Sequence, residues 1–139
     1  MITKDEAYSK VSELVERFDQ QFSSYKKADY NEALTRRDFI DPFFKAFGWD
    51  LDNSQGYSEA NREVIHEDKL KVGTATKAPD YSFRLPGGKR QFFLEAKKPS
   101  EVVKDETAPA YQVRRYGSSS LLFCFFKSNF CLVKTTLAF

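Results

Sequence analysis

No apolar run in the 139-residue chain is long enough to cross a membrane, and the opening Met1-Ile2-Thr3-Lys4-Asp5-Glu6 has no apolar signal core, so a cytoplasmic protein is expected. Cysteine is scarce. Cys124 and Cys131 lie in an apolar C-terminal stretch, match no common zinc spacing and have no second Cys/His pair to complete a site, so they read as reduced core residues. The single histidine, His66, has no Ser, Cys or second His placed with it. That favours a partly exposed strand residue over a general base. The adjacent Glu67 and Asp68 read as a solvated bend. There is no Gly-rich phosphate loop, which leaves ATP-driven translocation without a basis. Strong net charge is missing too: a formal +2 neither demands nor excludes a polyanionic partner.

What is present is core-forming material, at 41% hydrophobic and 16% aromatic residues, which suits one α/β domain across 1–139. Residues 1–48 are expected to be helical. Ala7, Val11, Leu14, Val15, Phe18 and Phe22 recur at helical spacing, and 26–30 break the pattern. A second helix follows, with Leu34, Phe39, Ile40, Phe43, Phe44 and Phe47 facing inward and Gly48 as its stop. Pro42 should kink or restart that helix, with Asp41 capping the new segment. Residues 50–61 form a polar loop. The sheet core is assigned to 62–134, beginning with a strand over 63–72. Another strand spans 78–85, Pro86-Gly87-Gly88 turns the chain, and Pro99 ends the strand that follows. Residues 100–107 read as a solvent-facing loop or short helix, and a helix is placed near 109–118. Residues 121–126, 127–129 and 130–134 read as strand, turn and strand.

The chemistry concentrates in Gln91-Phe92-Phe93-Leu94-Glu95-Ala96-Lys97 and the preceding Pro79-Asp80-Tyr81. Strand alternation sends Glu95 and Lys97 to one exposed face and Phe92, Leu94 and Ala96 to the other. Hairpin pairing across the Gly-rich turn would bring Asp80 beside Glu95. Phosphodiester hydrolysis requires a cation on the phosphate oxygens, an activated water, and stabilisation of the charge that develops. Two carboxylates and an amine meet those needs: Asp80 and Glu95 hold a Mg2+ or Mn2+ ion, Lys97 orients or activates water, and the Ala96 carbonyl is a further ligand. The interval from Arg84 to Arg115 holds eight basic residues (Arg84, Lys89, Arg90, Lys97, Lys98, Lys104, Arg114, Arg115) against four acidic ones, a local surplus that suits phosphate contact. A solvated charged surface is the plainer reading of any single member.

Pro79-Asp80 followed by Glu95-Ala96-Lys97 resembles the PD-(D/E)XK nuclease signature. Three ordered blocks narrow the resemblance: Arg37-Asp38-Phe39-Ile40-Asp41-Pro42-Phe43-Phe44 with Gly48-Trp49, then Thr76-Lys77-Ala78-Pro79-Asp80-Tyr81, then Phe93-Leu94-Glu95-Ala96-Lys97-Lys98-Pro99. Together they resemble the N-terminal nuclease domain of type IIG restriction-modification enzymes, itself similar to the nuclease of type I restriction subunits. The resemblance implies a restriction-endonuclease-like core with a central mixed sheet flanked by helices. In that family a glutamate near the start of the second helix joins the metal site, and Glu32 matches its position. Asp29-x-x-Glu32 can also be read as a capping box with no catalytic role. Gln112 and Tyr116, four apart on one helical face, resemble the Q-x-x-x-Y element of RecB-like members of the superfamily, whose glutamine and tyrosine line the nuclease centre. Lys98, Arg114, Arg115 and Tyr116 are the expected DNA contacts.

The stretch Gly117-Ser118-Ser119-Ser120 departs from the family, which would be expected to carry a tryptophan after the glycine, and so does the ending Thr135-Thr136-Leu137-Ala138-Phe139. The helical connector, the adenine methyltransferase with its N-P-P-Y-type motif and the target-recognition domain that the resemblance implies for a type IIG enzyme are not found in these 139 residues, so sequence-specific restriction is not expected of them alone. The resulting expectation is a Mg2+-dependent endonuclease domain acting on DNA, the restriction part of a restriction-modification system. Dimerisation or two visits would be needed to cut both strands. The alternative is a non-cleaving DNA-binding or scaffolding remnant of such an enzyme.

Overall fold

A capping box starts the first helix. Thr3 Oγ1 accepts from the Glu6 N–H at 3.2 Å, and the Glu6 carboxylate accepts from the Thr3 N–H at 2.8 Å. Helix α1 then runs Lys4–Gln20 and buries Ala7, Leu14 and Phe18, the expected stripe. The computed structural model describes residues 1–72, 74–101, 119–126 and 129–136, the last two segments in backbone only. The helix expected near 109–118, with Gln112, Arg114, Arg115 and Tyr116, lies outside the described residues. So does most of the loop expected over 100–107.

After the short α2 (Phe22–Tyr25), the second helical segment is one continuous run of α3 (Glu32–Thr35), a π-helical stretch (Arg36–Ile40) and α4 (Asp41–Ala46). Its cap is Asn31, whose side chain accepts from the Leu34 N–H at 3.0 Å. This excludes the Asp29-x-x-Glu32 capping box and leaves the Glu32 side chain for other contacts. The expected restart at Pro42 is corrected as well. Asp41 has helical backbone angles and makes no cap, and its N–H bonds back to the Arg36 carbonyl, widening the turn ahead of the proline. Pro42 has no N–H to offer the Asp38 carbonyl, and the Arg17 guanidinium from α1 donates to that carbonyl instead. Phe39, Ile40 and Phe44 are buried as expected, but Phe47 is 56% exposed because it follows the last helical residue. Gly48, at φ +88°, ends the segment in the left-handed conformation.

Seven strands follow among the described residues: β1 (Val64–His66), β2 (Leu70–Val72), β3 (Ala75–Lys77), β4 (Tyr81–Leu85), β5 (Lys89–Ala96), β6 (Ser119–Phe126) and β7 (Asn129–Thr136). Five form a sheet in the order β1-β4-β5-β6-β7. The sheet is mixed, because β5 and β6 pair in parallel while the other neighbours are antiparallel. Strands β2 and β3 make a separate two-stranded ribbon.

The single strand expected over 63–72 is thus two strands belonging to different sheets. Glu67 breaks it, with φ +52° and its N–H on the Asp80 carbonyl at 3.1 Å. Asp68 is 8% exposed and accepts from Arg84 Nη2 at 2.9 Å and from Arg90 Nε and Nη2 at 2.9 and 3.2 Å. The expected solvated bend is therefore a buried ionic anchor at Asp68, and Arg84 and Arg90 leave the basic surplus to serve it. Burial alone would raise the Asp68 pKa, but the two guanidinium groups outweigh it and hold the carboxyl below its usual range.

The turn between β4 and β5 follows its residues. Gly88 N–H bonds to the Leu85 carbonyl at 3.0 Å, with Pro86 and then Gly87 at φ +88° between them. That is a type II turn, which needs a residue free to take positive φ at its third position. The core lies between the helices and one face of the sheet, where Phe44 meets Phe83 at 4.5 Å between centroids and Phe83 stacks on Phe92 at 4.4 Å. Each such side chain taken fully out of water contributes roughly 1.5–3 kcal/mol. No helix among the described residues is long and apolar enough to cross a membrane.

Candidate active site

The tight turn sets the register of the β4–β5 hairpin, in which Tyr81 opposes Leu94. Asp80, one residue before β4, consequently lies at the level of Glu95 near the end of β5, as the sequence led us to expect. Its Oδ2 accepts from the Ala96 N–H at 2.7 Å and its Oδ1 from Arg36 Nη1 at 3.2 Å. Lys97 Nζ sits 3.9 Å from Glu95 Oε1 and 3.6 Å from Glu32 Oε1. Asp80, Glu95, Lys97 and Glu32 are therefore brought together from the start of one strand, the end of the next and the first turn of α3.

The face carrying Glu95 and Lys97 is more enclosed than the alternation argument implied, since their side chains are only 10% and 14% exposed. Burial has an electrostatic consequence. Desolvation and the Asp80 charge together push the Glu95 carboxyl up to about 7, against the opposing pull of Lys97. Asp80 also shifts upward, chiefly through burial, with the Ala96 N–H and Arg36 acting in the opposite sense.

Both carboxyls bind a proton more readily in the folded chain than in the unfolded one. Stability of the metal-free protein should therefore fall as pH rises through the window from the ordinary Glu value of 4.5 to about 7. Thermal melts in chelator across pH 4.5–8 are expected to trace this decline, and Glu95→Gln to flatten it. A native melt that stays level or climbs over that window would refute the coupling.

Several partners were missed by sequence reasoning. The Arg36 guanidinium reaches Asp80, lies 3.3 Å from Tyr81 Oη and 3.5 Å from His66 Nδ1, and sits over the Tyr81 ring. Tyr81 in turn donates to Asp41 Oδ1 at 2.6 Å. Burial works against the charge on Arg36, but Tyr81, Asp80 and Asp41 hold its pKa above the usual value. The signal that could have found Arg36 is its spacing from Glu32, four residues along one helical face. His66 is an exposed strand residue, as expected, and its Nε2 lies 3.1 Å from the Leu51 carbonyl. Lys98 follows Lys97 as a half-buried residue.

Among the described residues no group of three or more His, Cys, Asp or Glu side chains forms a ready metal cage. The donors that do meet suit magnesium, which prefers hard oxygens and is held through one or two carboxylates plus water and substrate phosphate. Burial is the first cause of both raised pKa values, and the smaller contribution from neighbouring carboxylates is one that a divalent cation would offset.

The fold and the site define a mixed α/β domain whose strand ends gather two carboxylates and a lysine under a helical acid. The chain is 44% identical over 119 residues, 84% of its length, to the type II restriction enzyme and methyltransferase RM.Eco57I of Escherichia coli, so it is a restriction-enzyme-related region. That match spans 12% of the relative's own length. No family model and no solved structure matches the chain.

Proposed function

We propose that this chain is the endonuclease part of a restriction-modification enzyme and hydrolyses DNA phosphodiesters with Mg2+, or Mn2+ in its place. The observation that carries the reading is the meeting of Asp80, Glu95 and Lys97, with Lys97 Nζ 3.9 Å from Glu95 Oε1 and the Asp80 carboxylate clasped by the Ala96 N–H. Asp80 and Glu95, with Glu32 and the Ala96 carbonyl, are the residues that would hold the metal. A bound divalent ion would supply Lewis acidity toward the phosphate and lower the pKa of a water.

The chain's own groups do the rest. Lys97 orients the attacking water and offsets charge building on the phosphate. Glu95, pushed up to about 7 in the metal-free chain by burial and the Asp80 charge, would give up its proton on taking a cation. Burial around Lys97 and Glu95 strengthens each of these interactions by lowering the local dielectric. No covalent enzyme intermediate is involved. Gln112 completes the proposed catalytic set, and Lys98, Arg114, Arg115 and Tyr116 contact DNA. The relative is named as both restriction enzyme and methyltransferase. By analogy, methyltransferase and target-recognition domains are the partners, and dimerisation serves double-strand cleavage.

Supercoiled plasmid incubated with the protein and millimolar Mg2+ is expected to be nicked or linearised. Lys97→Ala and a chelator control should each abolish that cleavage. Intact plasmid under the native chain, with DNA binding retained, would overturn the nuclease and transfer the chain to the non-cleaving DNA-binding class.

A further inference from the structure

The separate ribbon of β2 and β3 has no part in the core sheet, and its sequence is unlike the rest of the chain. Lys69-Leu70-Lys71-Val72-Gly73-Thr74-Ala75-Thr76-Lys77 contains three lysines, no acidic residue and no aromatic residue. Lys69 and Lys71 are exposed and Lys77 is half-buried. Of the basic residues around the site, Arg36 pairs with Asp80, Arg84 and Arg90 with Asp68, and Lys97 with Glu32 and Glu95. None of the three ribbon lysines enters an ion pair among the described residues. Among the described residues the ribbon thus adds three cations outside any ion pair to Lys98 beside the carboxylates.

Its placement is specific at both ends. The entry is pinned by Asp68, held by Arg84 and Arg90, and the exit runs from Lys77 through the fully buried Pro79 to Asp80. Lys77 and Asp80 are three positions apart, so their Cα atoms are at most about 10–11 Å apart. Register pairs Leu70 with Lys77 and Lys71 with Thr76, which puts Lys71 and Lys77 on opposite faces. Cations flank the ribbon on both sides.

We propose that the β2–β3 ribbon is a docking element for duplex DNA, seated in a groove with its lysines on the two phosphate walls and the bond beside Asp80 presented for cleavage. The major groove of B-DNA admits a two-stranded ribbon. Lysines on both faces suit walls on both sides, and the lack of an aromatic residue removes the stacking platform that single-strand binders rely on. The inference rests on the nuclease reading for its partner, but it concerns binding and is separable by experiment.

Anisotropy titrations of a short duplex in chelator, where no cleavage occurs, would follow affinity against salt for the native chain and for Lys69→Gln/Lys71→Gln/Lys77→Gln. Each lost phosphate contact on duplex DNA removes about 0.9 from the slope of log K against log salt, so the triple variant is expected to lose about 2–3. Lys4→Gln/Lys10→Gln, at the start of α1, should keep the native slope, and both variants should melt with the native chain. An unchanged slope in the triple variant, an equal per-charge loss in the control, or tighter native binding to single-stranded than to duplex DNA would each overturn the proposal. Cleavage by a chain whose slope ignores the ribbon lysines would sink the ribbon alone. A slope that depends on them in a chain that never cleaves would sink the nuclease reading and keep the ribbon.

Discussion

Asp80→Asn is expected to lower Mg2+-dependent plasmid cleavage by about 10²–10³-fold, taking as its scale the loss of one preorganised electrostatic group from a reaction centre. Asparagine keeps the size of the side chain and an oxygen that can still accept from the Ala96 N–H, which Asp80 Oδ2 now does at 2.7 Å. What it removes is the negative charge. Arg36 then loses one of its anions but retains Tyr81 and, through it, Asp41. The site should keep its shape while losing its attraction for a divalent cation.

A second readout separates this from unfolding. With Asp80 uncharged, one of the causes that push Glu95 up to about 7 disappears, so the fall of metal-free stability with pH should become shallower in Asp80→Asn. Thermal melts and single-turnover cleavage on the same preparation would check both. Cleavage within threefold of native would remove Asp80 from the mechanism.

Asp68→Ala is expected to destabilise the fold by about 3–5 kcal/mol, the range for taking one partner from a buried ion pair. The cost falls on Arg84, whose side chain is 11% exposed and would be left charged with no carboxylate; Arg90, at 45%, can turn to water. Arg90→Ala should accordingly cost much less than Asp68→Ala. The double change Asp68→Ala/Arg84→Met should recover most of the loss, because a long apolar side chain tolerates the site that an uncompensated guanidinium does not. Denaturant titration measures all three. A loss under about 1 kcal/mol for Asp68→Ala would show that the triad is a surface ion pair in effect.

The contrast between these two aspartates shows where sequence reasoning reached. Asp80 was legible because everything that places it is local: a type II turn with glycine where φ must be positive, alternation along two short strands, and a proline that ends the second. Those rules act over a few residues, and they fixed the level of Asp80 against Glu95 without any knowledge of the rest of the chain. The α1 stripe and the hairpin of β6 and β7 were readable on the same terms.

Asp68 was misread because its partners, Arg84 and Arg90, lie 16 and 22 positions away, and no local rule distinguishes an acid in a solvated bend from one enclosed by two distant guanidinium groups. The same holds for the wide turn before Pro42. Its proline announced a disturbance, but the choice between a restarted helix and a continuous widened one depended on Arg17, 21 residues back, reaching the orphaned Asp38 carbonyl.

The sequence by itself determined the helical stripe, the hairpin and its register, and the identity of the acids and lysine that meet at the strand ends, because periodicity and turn chemistry are short-range. Tertiary structure alone decided that Glu32 faces Lys97, that Arg36 clasps Asp80, that Arg84 and Arg90 are consumed by Asp68, and that Lys69, Lys71 and Lys77 share a separate ribbon. A charged side chain takes its role from the opposite charge it finds once burial has removed water, and that partner is chosen by the packing of distant segments.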